Sequence, residues 1–322
     1  MNFLHERYPL ANYPRHSRIH PLTSLTTTET RVFVKREDEI GPFSLGTKLR
    51  KYLSLIPFLA KCRHEIALIG GPYSNHILAL CLLLNENKLP YTLFLYGPAP
   101  QDVQGNYLFT RLATPLDKIH FIDPSIPLES FIKEYELKTH TSFFWVPEGG
   151  SCEASLPGAL TLSKDIQRNE KQHHMTFDHI YIDAGTGFIA AALLAGLGAL
   201  KKNTHLHIVQ MAGGDLSMHA MIEETLSWFQ TLYKIKPQLP SFDILLPTKG
   251  KAFGSISQSH MQFISHFAKL EGILLDPIYN AKLFITAKEH LQKEKKQGNV
   301  LIIESGGTFT LSGFTKHLNK TL

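Results

Sequence analysis

Cysteine is scarce in this chain. Cys62, Cys81 and Cys152 are the three among 322 residues, an odd number without metal-ligand spacing, so neither a disulfide framework nor a thiolate metal centre is written into the sequence. Long apolar runs are lacking as well: the longest, residues 188–200, falls short of the roughly 20 residues a membrane-spanning helix needs. Residues 1–10 carry no apolar stretch of leader-peptide length, and the expectation is a cytoplasmic chain with reduced thiols. No single sign of charge dominates. The net charge is +5, and the basic residues are scattered instead of forming an aromatic-interleaved stripe, so neither nucleic acid nor a membrane surface is an expected partner. The densest charged run, Lys293-Glu294-Lys295-Lys296, includes an acid, precedes Gly298 and reads as the solvated last turn of a helix. His173 and His174 are adjacent, their side chains diverge, and no carboxylate or cysteine completes a ligand set, so no metal is expected there.

What the chain does have is a hydrophobic content of 43% against 19% charged residues, enough for one large or two moderate domains. Residues 7–25 are rich in proline and histidine and predict an extended arm across the surface. Residues 31–36 form a β-branched and aromatic strand pattern ending in Glu37-Asp38-Glu39. Residues 49–62 follow with helical spacing, in which Pro57 predicts a kink or a break. From there strand and helix patterns alternate. Strands are expected at 65–71, 91–96, 118–122, 142–146, 179–183, 205–210 and 300–304, with helices between most of them and a turn at Gly213-Gly214. Alternation of this kind predicts an α/β protein with parallel sheets covered by helices, and the polar turns fall after strands, where open parallel sheets place their ligands.

Two of those turns carry chemistry on their own. In Phe43-Ser44-Leu45-Gly46-Thr47-Lys48, the lysine stands at a helix N-terminus, whose partial positive charge favours the neutral amine a nucleophile needs. Gly185-Thr186-Gly187, between a strand and a helix, offers backbone amides to a phosphate. The fuller glycine pattern and distant acid of a dinucleotide site are not evident, so a nicotinamide cofactor rests on this loop alone. Taken singly, the polar residues have plainer uses: Ser74 as a helix cap, Asn75 and His76 as turn residues, Tyr279 as a half-buried ring and Ser305 as part of a tight turn.

Together, the turns resemble those of the pyridoxal phosphate enzymes of fold type II, within them the D-cysteine desulfhydrase and 1-aminocyclopropane-1-carboxylate deaminase group. The resemblance is carried in order by Pro21-Leu22-Thr23, Val34-Lys35-Arg36-Glu37-Asp38, Gly46-Thr47-Lys48-Leu49-Arg50-Lys51, Gly70-Gly71-Pro72-Tyr73-Ser74-Asn75-His76, Pro147-Glu148-Gly149-Gly150-Ser151, a run from Glu271 through Asp276-Pro277-Ile278-Tyr279, and Ser305-Gly306-Gly307. It implies a two-domain α/β fold like that of tryptophan synthase β, each domain a mostly parallel sheet covered by helices. The expected division is a large cofactor-binding domain from residues 1–51 and 160–322 and an inserted small domain from 52–159.

The resemblance further implies that Lys48 holds pyridoxal 5'-phosphate as a Schiff base. Asn75 would meet the cofactor's phenolic oxygen, the amides of Gly185, Thr186 and Gly187 its phosphate, and Ser305 its pyridine nitrogen. Ser74 would face the substrate carboxylate or shuttle a proton, and Tyr279 is a catalytic residue. A neutral hydroxyl at the ring nitrogen makes a weaker electron sink, suited to losing a β substituent.

The chain departs from the family at Thr47, where asparagine is usual. Phe188 and Ile189 stand in place of glycine and threonine, Phe253 in place of a second tyrosine, and Asn280 where ring-opening members carry glutamate. Loss of the phenol and the carboxyl favours a lyase of the D-cysteine desulfhydrase kind over the deaminase, with a small amino acid as substrate and a 2-oxo acid and ammonia as products. Deaminase activity, or a member that binds cofactor without turnover, are the alternatives. A homodimer is implied.

Overall fold

The structure, a computed structural model, describes residues 13–41, 45–212 and 215–319. The chain runs β1 (Ile19–Pro21), β2 (Thr30–Arg36), α1 (Thr47–Leu59), β3 (Glu65–Gly70), α2 (Asn75–Glu86), β4 (Tyr91–Tyr96), α3 (Gly105–Ala113), β5 (Ile119–Ile122), α4 (Leu128–Thr139), β6 (Phe143–Val146), α5 (Leu156–Ala159) and α6 (Thr161–Gln172). It continues through β7 (His179–Ala184), α7 (Phe188–Ala199), β8 (His205–Gln210), α8 (Asp215–Tyr233), β9 (Phe242–Leu245), α9 (Gln258–Glu271), α10 (Asn280–Glu294), β10 (Gly298–Glu304) and α11 (Thr315–Leu318).

These strands make two sheets. The larger has the order β1-β2-β10-β7-β8-β9 and the smaller β5-β4-β3-β6. Every pairing is parallel except β1 with β2. The central strands β3, β7 and β8 are largely buried on both faces, as strands covered on both sides must be. Helix α7 (Phe-Ile-Ala-Ala-Ala-Leu-Leu-Ala-Gly-Leu-Gly-Ala) has no polar face and is buried almost throughout. The fold is the expected α/β arrangement of two mostly parallel sheets.

Several details differ from the sequence reading. The arm is less superficial than expected: β1 joins the large sheet, and Ile19 and Leu22 are buried. Helix α1 continues past Pro57 to Leu59 without a break. A proline two residues before a helix end forfeits one backbone hydrogen bond and leaves no following turns to misdirect. The short strand β9, between Pro240 and Pro247, was not anticipated, because four residues carry too little periodicity to register. Phe43, Ser44 and the Gly213-Gly214 turn lie outside the described residues. Among those described, no helix is long and apolar enough to cross a membrane.

A buried ionic cluster seats α1. Arg50 donates to Glu37 through Nε and to Glu37 Oε1 and Asp165 Oδ2 through Nη2 at 2.6 and 2.8 Å, while Lys35 Nζ reaches Asp165 Oδ2 at 2.6 Å and Asn169 Oδ1 at 2.7 Å. Arg50 and Lys35 are 1% and 0% exposed, so these carboxylates, with weaker contacts to Arg15, Ser17 and Thr161, stand in place of water around their charges. The cluster ties β2, α1 and α6 together two residues beyond Lys48.

Candidate active site

The loops following β3, β7 and β10 converge on the N-terminus of α1. Gly46 caps that helix at φ 61°, and a Cβ there would lie 1.9 Å from the Ser305 carbonyl oxygen, so no side chain fits. The Thr47 amide donates to the same carbonyl at 3.0 Å, which stitches the lysine loop to the end of β10. Lys48, the second residue of α1, enters a cavity of about 110 Å³ lined also by Lys51, Ser74, Asn75, His76, Asp183, Thr186 and Tyr279.

Lys51 is one turn from Lys48 on the same helix face and is 4% exposed. Burial, reinforced by the Lys48 charge, lowers its pKa to about 7, and its ammonium donates to the Gly149 carbonyl. Facing it across the cavity, Gly185, Thr186 and Gly187 lead into α7, whose first amides have no intrahelical acceptor. A Cβ at Gly187 (φ 85°) would stand 2.7 Å from Met218 Sδ, and one at Gly185 would press on the Tyr279 ring at 3.2 Å. Thr186 Oγ1 is 3.0 Å from Ser151 Oγ. The turn is therefore a close-fitting cradle of amides opposite a lysine. Phe188 borders the cavity, and its side chain is 0% exposed and packs in the core beside Trp228, Leu156 and Phe229.

Ser74 caps α2, its hydroxyl oxygen accepting from the His76 and Ile77 amides at 3.2 and 3.4 Å. The plain role as a cap is thus fulfilled, and the same hydroxyl lines the cavity with its own proton free to donate. Asn75 Oδ1 accepts from Asn106 Nδ2 at 2.7 Å and Thr310 Oγ1 at 3.0 Å, leaving its Nδ2 group as the donor for a ligand. His76 Nδ1 is 2.7 Å from the Tyr52 hydroxyl, and burial, with the charges of Lys51 and Lys48, holds the ring neutral.

Tyr279 stands at the start of α10, where Asp276 Oδ1 accepts its amide at 2.9 Å and fixes its position. Its ring centroid is 5.9 Å from Lys48 Nζ. Burial, and then the carboxyls of Asp276, Asp183 and Glu148, raise its pKa, so the phenol keeps its proton. Asn280 is wholly engaged: Nδ2 donates to Asp276 Oδ2 at 2.8 Å and to the Gly306 carbonyl at 2.9 Å, and Oδ1 accepts the Ser305 amide at 3.0 Å. Ser305 does not itself line the cavity. It lies behind the cavity wall, with its hydroxyl 3.4 Å from Asn280 Oδ1 and beside the Asp183 carboxyl.

Asp183 and Lys51 were missed in the sequence reading. Asp183 ends an apolar strand directly before the glycine turn. Burial raises its pKa, the Ser305 hydroxyl opposes that shift, and Oδ1 has no hydrogen-bond partner. A lone acid at the C-terminal end of a buried parallel strand was the available signal, as was a second lysine three residues from Lys48.

A larger cavity of about 510 Å³ adjoins the first and shares Ser74, Asn75, Glu148 and Tyr279 with it. Phe253 borders this outer chamber, 60% exposed, with its ring 6.2 Å from that of Tyr279. The arrangement offers an amine, a phosphate-sized cradle with a cation, a free amide donor and an unpartnered carboxyl around one hollow, with room for a small substrate outside it.

Comparison with known proteins agrees. Residues 11–306 match the family described as pyridoxal-phosphate dependent enzyme. A putative 1-aminocyclopropane-1-carboxylate deaminase of Pyrococcus horikoshii is 27% identical over 286 residues, covering 86% of this chain and 84% of its own length. The bifunctional D-cysteine desulfhydrase/1-aminocyclopropane-1-carboxylate deaminase of Arabidopsis thaliana, a mitochondrial protein, is 27% identical over 305 residues, 88% of this chain and 73% of its own. A crystal structure of an ACC deaminase homologue superposes with a TM-score of 0.81 over 99% of this chain and 100% of its own at 23% identity, a likeness of fold. The cradle that a Cβ would fill, the lysine at its mouth and the free Asn75 donor fit an aldehyde-bearing pyridine phosphate. The chain belongs to the pyridoxal-phosphate dependent enzymes, and pyridoxal 5'-phosphate is its cofactor.

Proposed function

We propose that the chain is a lyase that removes a β substituent from a small amino acid, D-cysteine foremost, releasing sulfide, a 2-oxo acid and ammonia. The observation that carries the choice of elimination over ring opening is the state of Asn280 and Phe253. Every polar atom of the Asn280 side chain is spent on Asp276, Gly306 and Ser305, so no acid reaches the cavity from that position, and Phe253 brings no phenol. The bound cofactor would supply the electron sink that acidifies the substrate's α carbon.

The protein's own groups divide the remaining tasks. The Lys48 amine binds the cofactor and takes the α proton when freed, because it lies at the cavity mouth within reach of Tyr279. The amides of Gly185, Thr186 and Gly187 and the Lys51 ammonium hold the phosphate. Asn75 Nδ2 donates to the phenolic oxygen, and Ser74 donates its hydroxyl proton to the substrate carboxylate. Tyr279, kept protonated, donates to the leaving sulfur. Ser305 is the group assigned to the ring nitrogen, and the neighbouring Asp183 carboxyl, which lines the cavity, adds the negative potential that a hydroxyl alone lacks. A homodimer remains the expectation from the family resemblance.

The test is an assay of purified protein with D-cysteine, L-cysteine and 1-aminocyclopropane-1-carboxylate, reading sulfide, 2-oxo acid and ammonia. Sulfide with pyruvate from D-cysteine is the expected result. A four-carbon 2-oxo acid from the cyclopropane substrate would establish the deaminase instead, and no product from any substrate a binding protein without turnover. Lys48→Ala should lose both activity and the cofactor's visible absorbance. A variant that stayed coloured and active would remove Lys48 from its role.

A further inference from the structure

At the opposite edge of the large sheet from the glycine cradle lies a cluster the reaction does not use. β7 and β8 begin at His179 and His205, so these residues mark the N-terminal ends of their strands, while the cradle follows the C-terminal end of β7. Register assembles the cluster: His179 is opposite His205, Tyr181 is opposite His207, and His207 is opposite Asp243 on β9. His205 and His207 are two residues apart and therefore share a face.

We propose that His205, His207 and Asp243 form a binding site for a divalent transition metal of the zinc class. One ligand atom from each residue falls within 4.8 Å of the others. His207 Nδ1 is 2.8 Å from Asp243 Oδ1, and His205 Nε2 is 3.2 Å from Oδ2 yet completes no well-directed hydrogen bond. Zinc bonds of about 2.0–2.2 Å in a tetrahedral arrangement hold ligand atoms roughly 3.3–3.6 Å apart, so the His207–Asp243 pair would open slightly while the three atoms draw inside the 4.8 Å that now spans them.

The surroundings suit a ligand set. His207 Nε2 is 3.1 Å from His179 Nδ1, and a proton donated along that line leaves Nδ1 of His207 with its lone pair toward Asp243. Donation of the outer ring N–H to a fixed acceptor is how metal-binding imidazoles are oriented. Tyr181 stacks on His207 at 4.3 Å and clamps the ring. The Asp243 and His205 side chains are 38% and 29% exposed, which gives the ion a way in and leaves a coordination position to water.

The holoenzyme, dialysed against a chelator, is titrated with Zn²⁺ against a chromophoric competitor and with Co²⁺ by its visible bands. One ion per chain is expected, bound in a site that His205→Ala and Asp243→Asn each abolish and that His179→Phe weakens about 10- to 100-fold. Because His205 and Asp243 are partly exposed, both variants should melt with the metal-free wild type. Absence of stoichiometric uptake would overturn the site, as would uptake that survives His205→Ala and Asp243→Asn and disappears in a His173→Ala, His174→Ala double variant.

Discussion

Lys51 is the residue whose surroundings most directly yield a pH prediction. Its ammonium is desolvated and shares a cavity with Lys48, which together bring its pKa to about 7. A folded pKa below the ordinary lysine value of about 10.4 means that the unfolded chain holds the proton more tightly between those values. The apoprotein therefore gains stability as pH rises through 7 toward 10. Phosphate affinity moves the other way, since the charge that attracts it is lost over the same first step. Cofactor titrations of the apoprotein should show weaker binding at pH 9 than at pH 6.5. Lys51→Met should bind roughly tenfold or more weakly with little pH dependence, a charge-assisted hydrogen bond being worth about 1.5–3 kcal/mol. Equal affinities for variant and wild type would assign the phosphate to the loop amides alone.

The elements of the site are only as well placed as α1, and α1 is held by its buried charges. Arg50 and Lys35 share Asp165, whose carboxyl is held well below the ordinary range: burial opposes ionisation, and the Lys35 and Arg50 charges overcome it. Removing one member of such a network leaves the others charged and unpaired. Asp165→Ala should cost about 3–5 kcal/mol in denaturant unfolding and blur the Lys48 site even in protein that remains folded. A loss below about 1 kcal/mol would show that water replaces the carboxylate. At this scale the sequence was legible in its strands and helices, because apolar periodicity is local. Pro57 misled because its effect depends on how many helical residues follow it, and β1 and β9 were too short to show a period.

Across the whole molecule, two sheets share one site, and β10 from the end of the chain lies between β2 and β7. The proposed boundaries near residues 52 and 159 fall where α1 and α5 touch: a Cβ at Gly158 would stand 2.1 Å from the Arg50 carbonyl oxygen. The end of β10 also carries a titrating group. Burial and the neighbouring Asp38 carboxyl raise the Glu304 pKa far above the ordinary carboxylate range, so the folded protein holds this carboxyl protonated. A raised carboxyl contributes stability that is full below about pH 4 and is lost as pH rises through the folded value. Glu304→Gln retains a donor without the charge. It should unfold at higher denaturant concentration than wild type at pH 8 and lose that advantage at pH 5. A constant difference between the two pH values would mean that Glu304 ionises in the ordinary carboxylate range in the folded protein.

The sequence by itself determined the alternation of strands and helices, the family, and which turns bear polar residues. These are properties of neighbouring side chains: helical and extended periods, glycines where no Cβ fits, and a lysine placed just inside a helix. Which strands lie side by side was settled by the tertiary structure, because pairing leaves no local period and β10 joins β2 and β7 across more than a hundred residues. That decision turned Phe188 into the core, placed Asp183 at the cavity with Ser305 behind it, enclosed Lys48 and Lys51 in one cavity, and put His205, His207 and Asp243 on one face of the sheet. What each does depends on burial and on the groups across from it.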